Sequence, residues 1–319
     1  MCQIQGEICT MRFNFTGTAA GLAALTLAAP TTLVRRSGNN TDVGVLQFAL
    51  TLEHLENAFY KQAVSTWTLE DFVAANFSES FFSQVKYITH DEERHVIFLE
   101  DALRAAGAEP VPACSYQFNL SGPQDFIAKA AIIEGVGASA YAGAAPLIGF
   151  KQYLTAAASI LVTESLHQSA LRSAVGEVPM ANPFGTPLGV RAVYSAASQF
   201  IVSCPDAAKL NVQSYPVLTL TQGLPLAPNE SATFNVAAGG PTLPSTACVT
   251  FYSGLDMVPV AASVSGKQIT CVVPSQASGQ SYVFISSDRS SNLTDANILY
   301  GPAIVEVTPG SPTFNVSVT

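Results

Sequence analysis

The chain has 319 residues, enough for two domains, and only 12% of them are charged, about half the usual share. The formal net charge is −9, with 14 Lys and Arg against 23 Asp and Glu. An acidic chain with no basic cluster is not built to hold nucleic acid. No apolar run is long enough to span a bilayer.

In chain order, Met11-Arg12 is followed by a short apolar run, Gly17 to Ala29, that ends in small residues. This pattern predicts a cleaved secretory signal rather than a membrane span. Arg35-Arg36 reads either as a dibasic processing site or as an exposed pair, so residues 1–36 are set aside as signal peptide and pro-segment. Six Asn-x-Ser/Thr sequons follow, at Asn39, Asn76, Asn119, Asn229, Asn292 and Asn315. Together with the signal they point to an exported glycoprotein, extracellular or in a cell wall. Four cysteines remain beyond the signal, Cys114, Cys204, Cys248 and Cys271. An even count predicts two disulfides. The simplest pairing is Cys114–Cys204 with Cys248–Cys271, although three connectivities stay open.

Apolar spacing predicts helices over about 43–64, 77–106, 123–142 and 150–175, with the third able to continue past Pro146. Asn40, Thr41 or Asp42 can cap the first, and Gly107 closes the second. A proline-bearing connection over 108–123 is long enough to cross a bundle. A fifth, shorter helix covers about 190–202. Each long helix carries acidic residues on its apolar stripe: Glu53 and Glu56, then Glu92 with His95, then Glu134, then Glu164 with His167. Glutamate and histidine three residues apart share a helix face, and carboxylate with imidazole suits iron or manganese. No Lys or Arg stands three, four or seven residues from Glu53, Glu92, His95, Glu134, Glu164 or His167. Four buried carboxylates without partners are costly, and two divalent cations balance them.

One Glu from each of two helices with Glu-x-x-His from each of two others is the ligand set of a ferritin-like di-metal bundle. Glu56 shares a face with Glu53 and is the alternative ligand there. Tyr60 and Tyr141 stand seven residues after Glu53 and Glu134. They can hydrogen-bond the ligands, carry an electron, or simply pack in the core. His54 and His90 fall off the ligand stripes.

From about residue 206 Ser, Thr and Pro dominate. Alternating runs predict six strands, at 217–221, 232–236, 248–252, 268–273, 282–286 and 304–307. The expected fold is therefore multidomain α and β, with an antiparallel four-helix bundle plus short fifth helix over 42–204. An immunoglobulin-like β-sandwich follows over 210–319. The second half has no cluster of catalytic side chains, so its expected role is binding a wall polysaccharide or a protein, or stabilising the bundle.

The stretches Phe48 to Tyr60, Ile88 to Leu103 and Ile132 to Tyr141 resemble a ferritin-like domain family found in fungal stress-response and late-sexual-development proteins and in plant desiccation-related proteins. The resemblance covers residues 42–204 and implies a di-iron or di-manganese centre on Glu53, Glu92, His95, Glu134, Glu164 and His167. The functional expectation is redox chemistry on O2 or peroxide, of ferroxidase or catalase type. The alternative is a non-catalytic surface protein whose metals only hold the bundle together. Iron storage ranks lowest, since nothing indicates a shell and sugars on Asn76 and Asn119 would obstruct one.

Overall fold

The computed structural model describes residues 40–208, 210–289 and 292–318. The apolar run at 17–29, the Arg35-Arg36 pair, Cys2, Cys9 and the Asn39 sequon lie outside them. Four long helices carry the first half: α1 (Asn40–Thr66), α3 (Glu79–Ala105), α4 (Pro123–Ala144) and α5 (Lys151–Ala174). Between the first two lies a short α2 (Leu69–Ala74) that the periodicity does not predict. Thr68 and Asp71 cap it reciprocally.

Local chemistry sets the helix ends. The hydroxyl of Ser78 accepts from the Phe81 amide at 3.1 Å to start α3. Gly107, at φ +80°, ends α3 in the left-handed turn expected of it. Pro123 opens α4 at a position needing no amide donor. Helix α4 stops at Ala144 and gives way to a 3-10 turn through Pro146, so the α-helix does not continue past that proline. Asp42 lies inside α1 rather than capping it, and its buried carboxylate accepts from the amides of Gly149 and Phe150, at 2.7 and 3.1 Å, where α5 begins.

Helix α1 packs on α3 and α4 on α5, giving two hairpins. The crossover between them is pinned to α1, because His54 Nε2 lies 3.0 Å from the Val111 carbonyl and the Gln47 amide donates to the Glu109 carbonyl. A disulfide joins Cys114 in the crossover to Cys204, and β1 (Ser115–Tyr116) pairs with β2 (Ile201–Ser203) beside it. The fifth helix, α6 (Val190–Ala197), docks on α4 through Val193 and Ala196. Its approach depends on Gly143, where a Cβ would lie 1.8 Å from the Leu188 carbonyl oxygen.

Eight strands form the second half: β3 (Leu218–Leu220), β4 (Ser231–Val236), β5 (Cys248–Ser253), β6 (Asp256–Val260), β7 (Ala262–Ser265), β8 (Gln268–Val272), β9 (Gly279–Ser286) and β10 (Ile298–Val307). They make two antiparallel sheets, ordered β3-β4-β8-β7 and β10-β9-β5-β6. Lettered A to G in sequence, with β6 as the extra strand beside C, these are the ABED and GFC sheets of the immunoglobulin arrangement. Sequence alternation misses β6 and β7, which are edge strands with little burial, and β6 carries Pro259.

The expected Cys248–Cys271 bond is not formed. Cys248, on β5, points at the Ser286 hydroxyl (3.1 Å) and the Asp288 carbonyl (2.8 Å). Cys271 sits on β8 of the other sheet, packed in the sandwich core, where burial pushes its thiol up to about 12. The two side chains belong to different layers, and a disulfide needs their Cβ atoms about 4 Å apart.

Strand β5 is buried at all six positions. Val249 and Phe251 face the sandwich core, whereas Tyr252 faces the bundle with Tyr282 and Phe284 of β9. That sheet is covered on both sides, which makes the molecule three layers of helices, sheet and sheet. Tyr282 donates to the Gly135 carbonyl of α4 at 2.9 Å, and Gln280 donates to the Ile132 carbonyl at 3.1 Å. Gly135 permits this, since a Cβ there would lie 2.4 Å from Gln280. Arg172, at the end of α5, makes a buried bidentate pair with Glu306 of β10, both bonds 2.8 Å. Arg172 also contacts Glu177 at 3.1 Å.

Candidate metal centre

Each helix contributes to one buried cluster midway along the bundle. Glu53, Glu92, Glu134 and Glu164 are all fully buried, and His167 nearly so. Two groups of four emerge, Glu53-Glu92-His95-Glu164 and Glu92-Glu134-Glu164-His167, each with its ligand atoms within 4.8 Å of one another. Glu92 and Glu164 belong to both groups. Glu53 and His95 complete one, Glu134 and His167 the other.

Both imidazoles turn Nδ1 inward. His95 Nδ1 lies 3.2 Å from Glu53, 3.6 Å from Glu92 and 3.4 Å from Glu164. His167 Nδ1 lies 3.1 Å from Glu92 and 3.2 Å from Glu134. The outward nitrogen of His167, Nε2, lies 3.3 Å from Asp91. A carboxylate behind a ligating histidine fixes its ring and tautomer. Sequence reasoning missed Asp91, because it neighbours Glu92 in an acidic run and no spacing rule ties it to α5. Asp91 is also 3.2 Å from His90, which is exposed.

The tyrosines are placed reciprocally. Tyr141 of α4 donates to Glu53 of α1 at 2.5 Å, and Tyr60 of α1 donates to Glu134 of α4 in a shorter bond. Burial, then the facing carboxylate, raises both phenols well above their ordinary value, so both stay protonated donors. Glu56 is buried and lies beside the cluster but belongs to neither group of four.

Electrostatically this is an unfavourable place for so many acids. Burial, then repulsion from Glu134, pushes Glu92 up to about 7. Burial, then neighbouring carboxylates, raises Glu56 and Glu164 well above their usual value. Burial opposes the imidazolium of His167, but Glu134 and Glu92 outweigh it and carry the group up to about 11. His95 shifts the same way for the same reason, held by Glu164, Glu53 and Glu92. Among the described residues, Glu92 Oε1 and Oε2, Glu164 Oε1 and Oε2, Glu53 Oε2, Glu56 Oε2 and His95 Nδ1 are buried without a hydrogen bond of good geometry. Buried acceptors left this way cost free energy. Converging oxygen and imidazole donors of this kind fit hard or borderline cations.

Residues 41–177 match the ferritin-like domain family. This segment is a ferritin-like domain. Among solved structures, a conserved hypothetical protein from Mycobacterium tuberculosis is similar at 18% identity, over 46% of this chain and 97% of its own. The TM-score of that match is 0.38. No curated protein matches the chain. The ferritin-like domain thus places a buried carboxylate and histidine group able to bind metal ions where four helices meet, and the disulfide and the sandwich frame it. Among the described residues no helix is long and apolar enough to cross a membrane.

Proposed function

We propose that the ferritin-like domain holds two ions of iron or manganese and performs redox chemistry on O2 or peroxide, of ferroxidase or catalase type, in an exported protein. The sharing of Glu92 and Glu164 between the two ligand groups carries this reading. In it, Glu53 and His95 hold one ion, Glu134 and His167 the other, and Glu92 and Glu164 stand between them. The metal pair supplies electron exchange with the oxidant.

The protein's own residues do the rest. Tyr60 and Tyr141 hold the outer carboxylates of Glu134 and Glu53 in place and are the residues nearest to hand for passing an electron. Asp91 orients the His167 ring. Export is supported by the Cys114–Cys204 disulfide and by the exposure of the five sequon asparagines from Asn76 to Asn315. The resemblance of the bundle, residues 42–204, to stress and development proteins supplies the setting, while the proposed cleaved leader over 1–36 rests on its own apolar pattern and the sandwich follows over 210–319.

A second reading makes the metals structural, with the sandwich binding a wall polysaccharide or a protein. The five buried carboxylates favour it in one respect, because cations stabilise this core whether or not turnover occurs. Metal analysis of protein from its own secretory pathway, followed by O2 and peroxide consumption with Fe(II) or Mn(II), separates the two. The redox reading expects two metal equivalents and turnover that Glu92→Ala and Glu164→Ala abolish. Two equivalents without consumption of either oxidant would leave only the structural reading, and no metal would overturn both.

A further inference from the structure

Beside the metal centre lies a cavity of about 370 Å³, formed where α1, α4 and α6 meet the sandwich. This is within the size range of small-molecule sites. Leu52, Ile133 and Val136 of the bundle and Leu220 and Ile304 of the sandwich make its walls apolar. Among the described residues Glu56 is the one ionisable side chain in its lining, and Gln199, Thr219 and Gln222 are its other polar ones. The bundle alone does not enclose this space, since strands β3 and β10 supply the far wall.

The inner end of the cavity is built from an asymmetry in an otherwise paired site. Glu53 corresponds to Glu134 and Tyr60 to Tyr141, each tyrosine bonding the other helix's carboxylate. By the same spacing Glu56 corresponds to Gly137. A Cβ at Gly137 would lie 2.7 Å from Glu56 Oε1 and 2.5 Å from Glu164 Oε2. The Glu56 carboxyl therefore lies over the bare glycine, beside a carboxylate shared by both ligand groups. Glu56 is in neither group, and its Oε2 is buried without a partner among the described residues. On the di-metal reading above, two divalent cations would balance Glu53, Glu92, Glu134 and Glu164, and Glu56 would not be needed for charge.

We propose that this cavity binds an apolar organic molecule carrying a hydroxyl head, whose O–H donates to Glu56. The apolar walls take the body of the molecule, and the orphaned acceptor selects the head, because leaving a buried acceptor unpaired is the penalty a ligand without a donor incurs. The binding site stands on the cavity. Its consequence, that the hydroxyl end is delivered to the metal pair, rests on the di-metal reading above.

The test is calorimetry of the full metal-bearing protein with 1-octanol and with 1-methoxyoctane, which has a similar chain but no donor, alongside metal content and circular dichroism. Octanol is expected to bind one to one, at least tenfold more tightly than the ether. Glu56→Leu should abolish that tenfold preference and Glu56→Gln should keep most of it, since the amide retains an acceptor oxygen. Val136→Phe fills the cavity from the bundle side and Thr219→Trp from the exposed strand side. Either should remove octanol binding with metal content and fold unchanged. Metal retained with no saturable octanol binding overturns the proposal, as does binding that neither filling variant alters, or an ether that binds as well as the alcohol. Octanol bound by a protein that carries no metal would instead sink the di-metal reading and leave the cavity site standing.

Discussion

Tyr141 reaches from α4 across the bundle to donate a 2.5 Å hydrogen bond to Glu53 on α1, while Tyr60 on α1 returns the same contact to Glu134 on α4. The two outer carboxylates of the cluster are thus each held by the helix that carries the other. Partners behind a metal ligand typically matter ten- to a hundredfold in affinity. Tyr141→Phe and Tyr60→Phe should each weaken Mn(II) binding by about tenfold, measured by titration calorimetry with the fold intact. Equal affinities for wild type and both variants would show the phenols to be packing alone.

Gly137→Ala separates helix stability from site geometry. In an ordinary helix this change stabilises by about 0.5–1 kcal/mol. Here the added methyl would lie 2.5 Å from Glu164 and 2.7 Å from Glu56, so both carboxyls must move. The metal-free variant should melt at or above the wild-type temperature, yet hold less metal on elemental analysis. Full occupancy would mean that the Glu164 carboxylate relaxes without leaving the ligand set.

Acidity should affect the metal-free and metal-loaded protein in opposite ways. Without metal, folded Glu92 keeps its proton up to about pH 7, whereas the unfolded chain loses it near the ordinary value of 4.5. Glu56 and Glu164 shift the same way, and His167 stays protonated towards pH 11. The folded state holds more protons, so stability falls as pH rises through 4.5 to 7, by on the order of 3 kcal/mol from Glu92 alone. Metal binding displaces those protons, so the melting-temperature gain on adding Mn(II) should grow from pH 5 to pH 8. A metal-free melting temperature that climbs over this range would contradict the clustering of these acids.

Arg172 and Glu306 tie the last long helix of the bundle to the last strand through two buried 2.8 Å bonds. Removing one member of a buried pair costs about 3–5 kcal/mol, because the survivor is left uncompensated. Arg172→Met should lower the urea midpoint accordingly, and adding Glu306→Leu should recover most of the loss. If the single variant matched wild type, the pair would have no part in joining helices to sheet.

The linear order of residues is enough to locate the four long helices and to put Glu53, Glu92, His95, Glu134, Glu164 and His167 on inward faces, where they converge. Helical periodicity puts side chains three and four apart on one face, and an acid on an apolar face signals a partner. An even count leads equally to Cys114–Cys204, which forms, and to Cys248–Cys271, which does not, because those two residues fall on separate sheets that strand alternation does not assign. The short α2 and the edge strands β6 and β7 bury too little to leave a pattern.

What no spacing rule reaches is contact between elements. Asp91 behind His167, the exchange of Tyr60 and Tyr141, the Arg172–Glu306 pair and the cavity walled by β3 and β10 all join residues far apart in the chain. Periodicity is a property of one element and its own axis, and it fixes which face turns inward. Only packing of one element on another decides what that face meets.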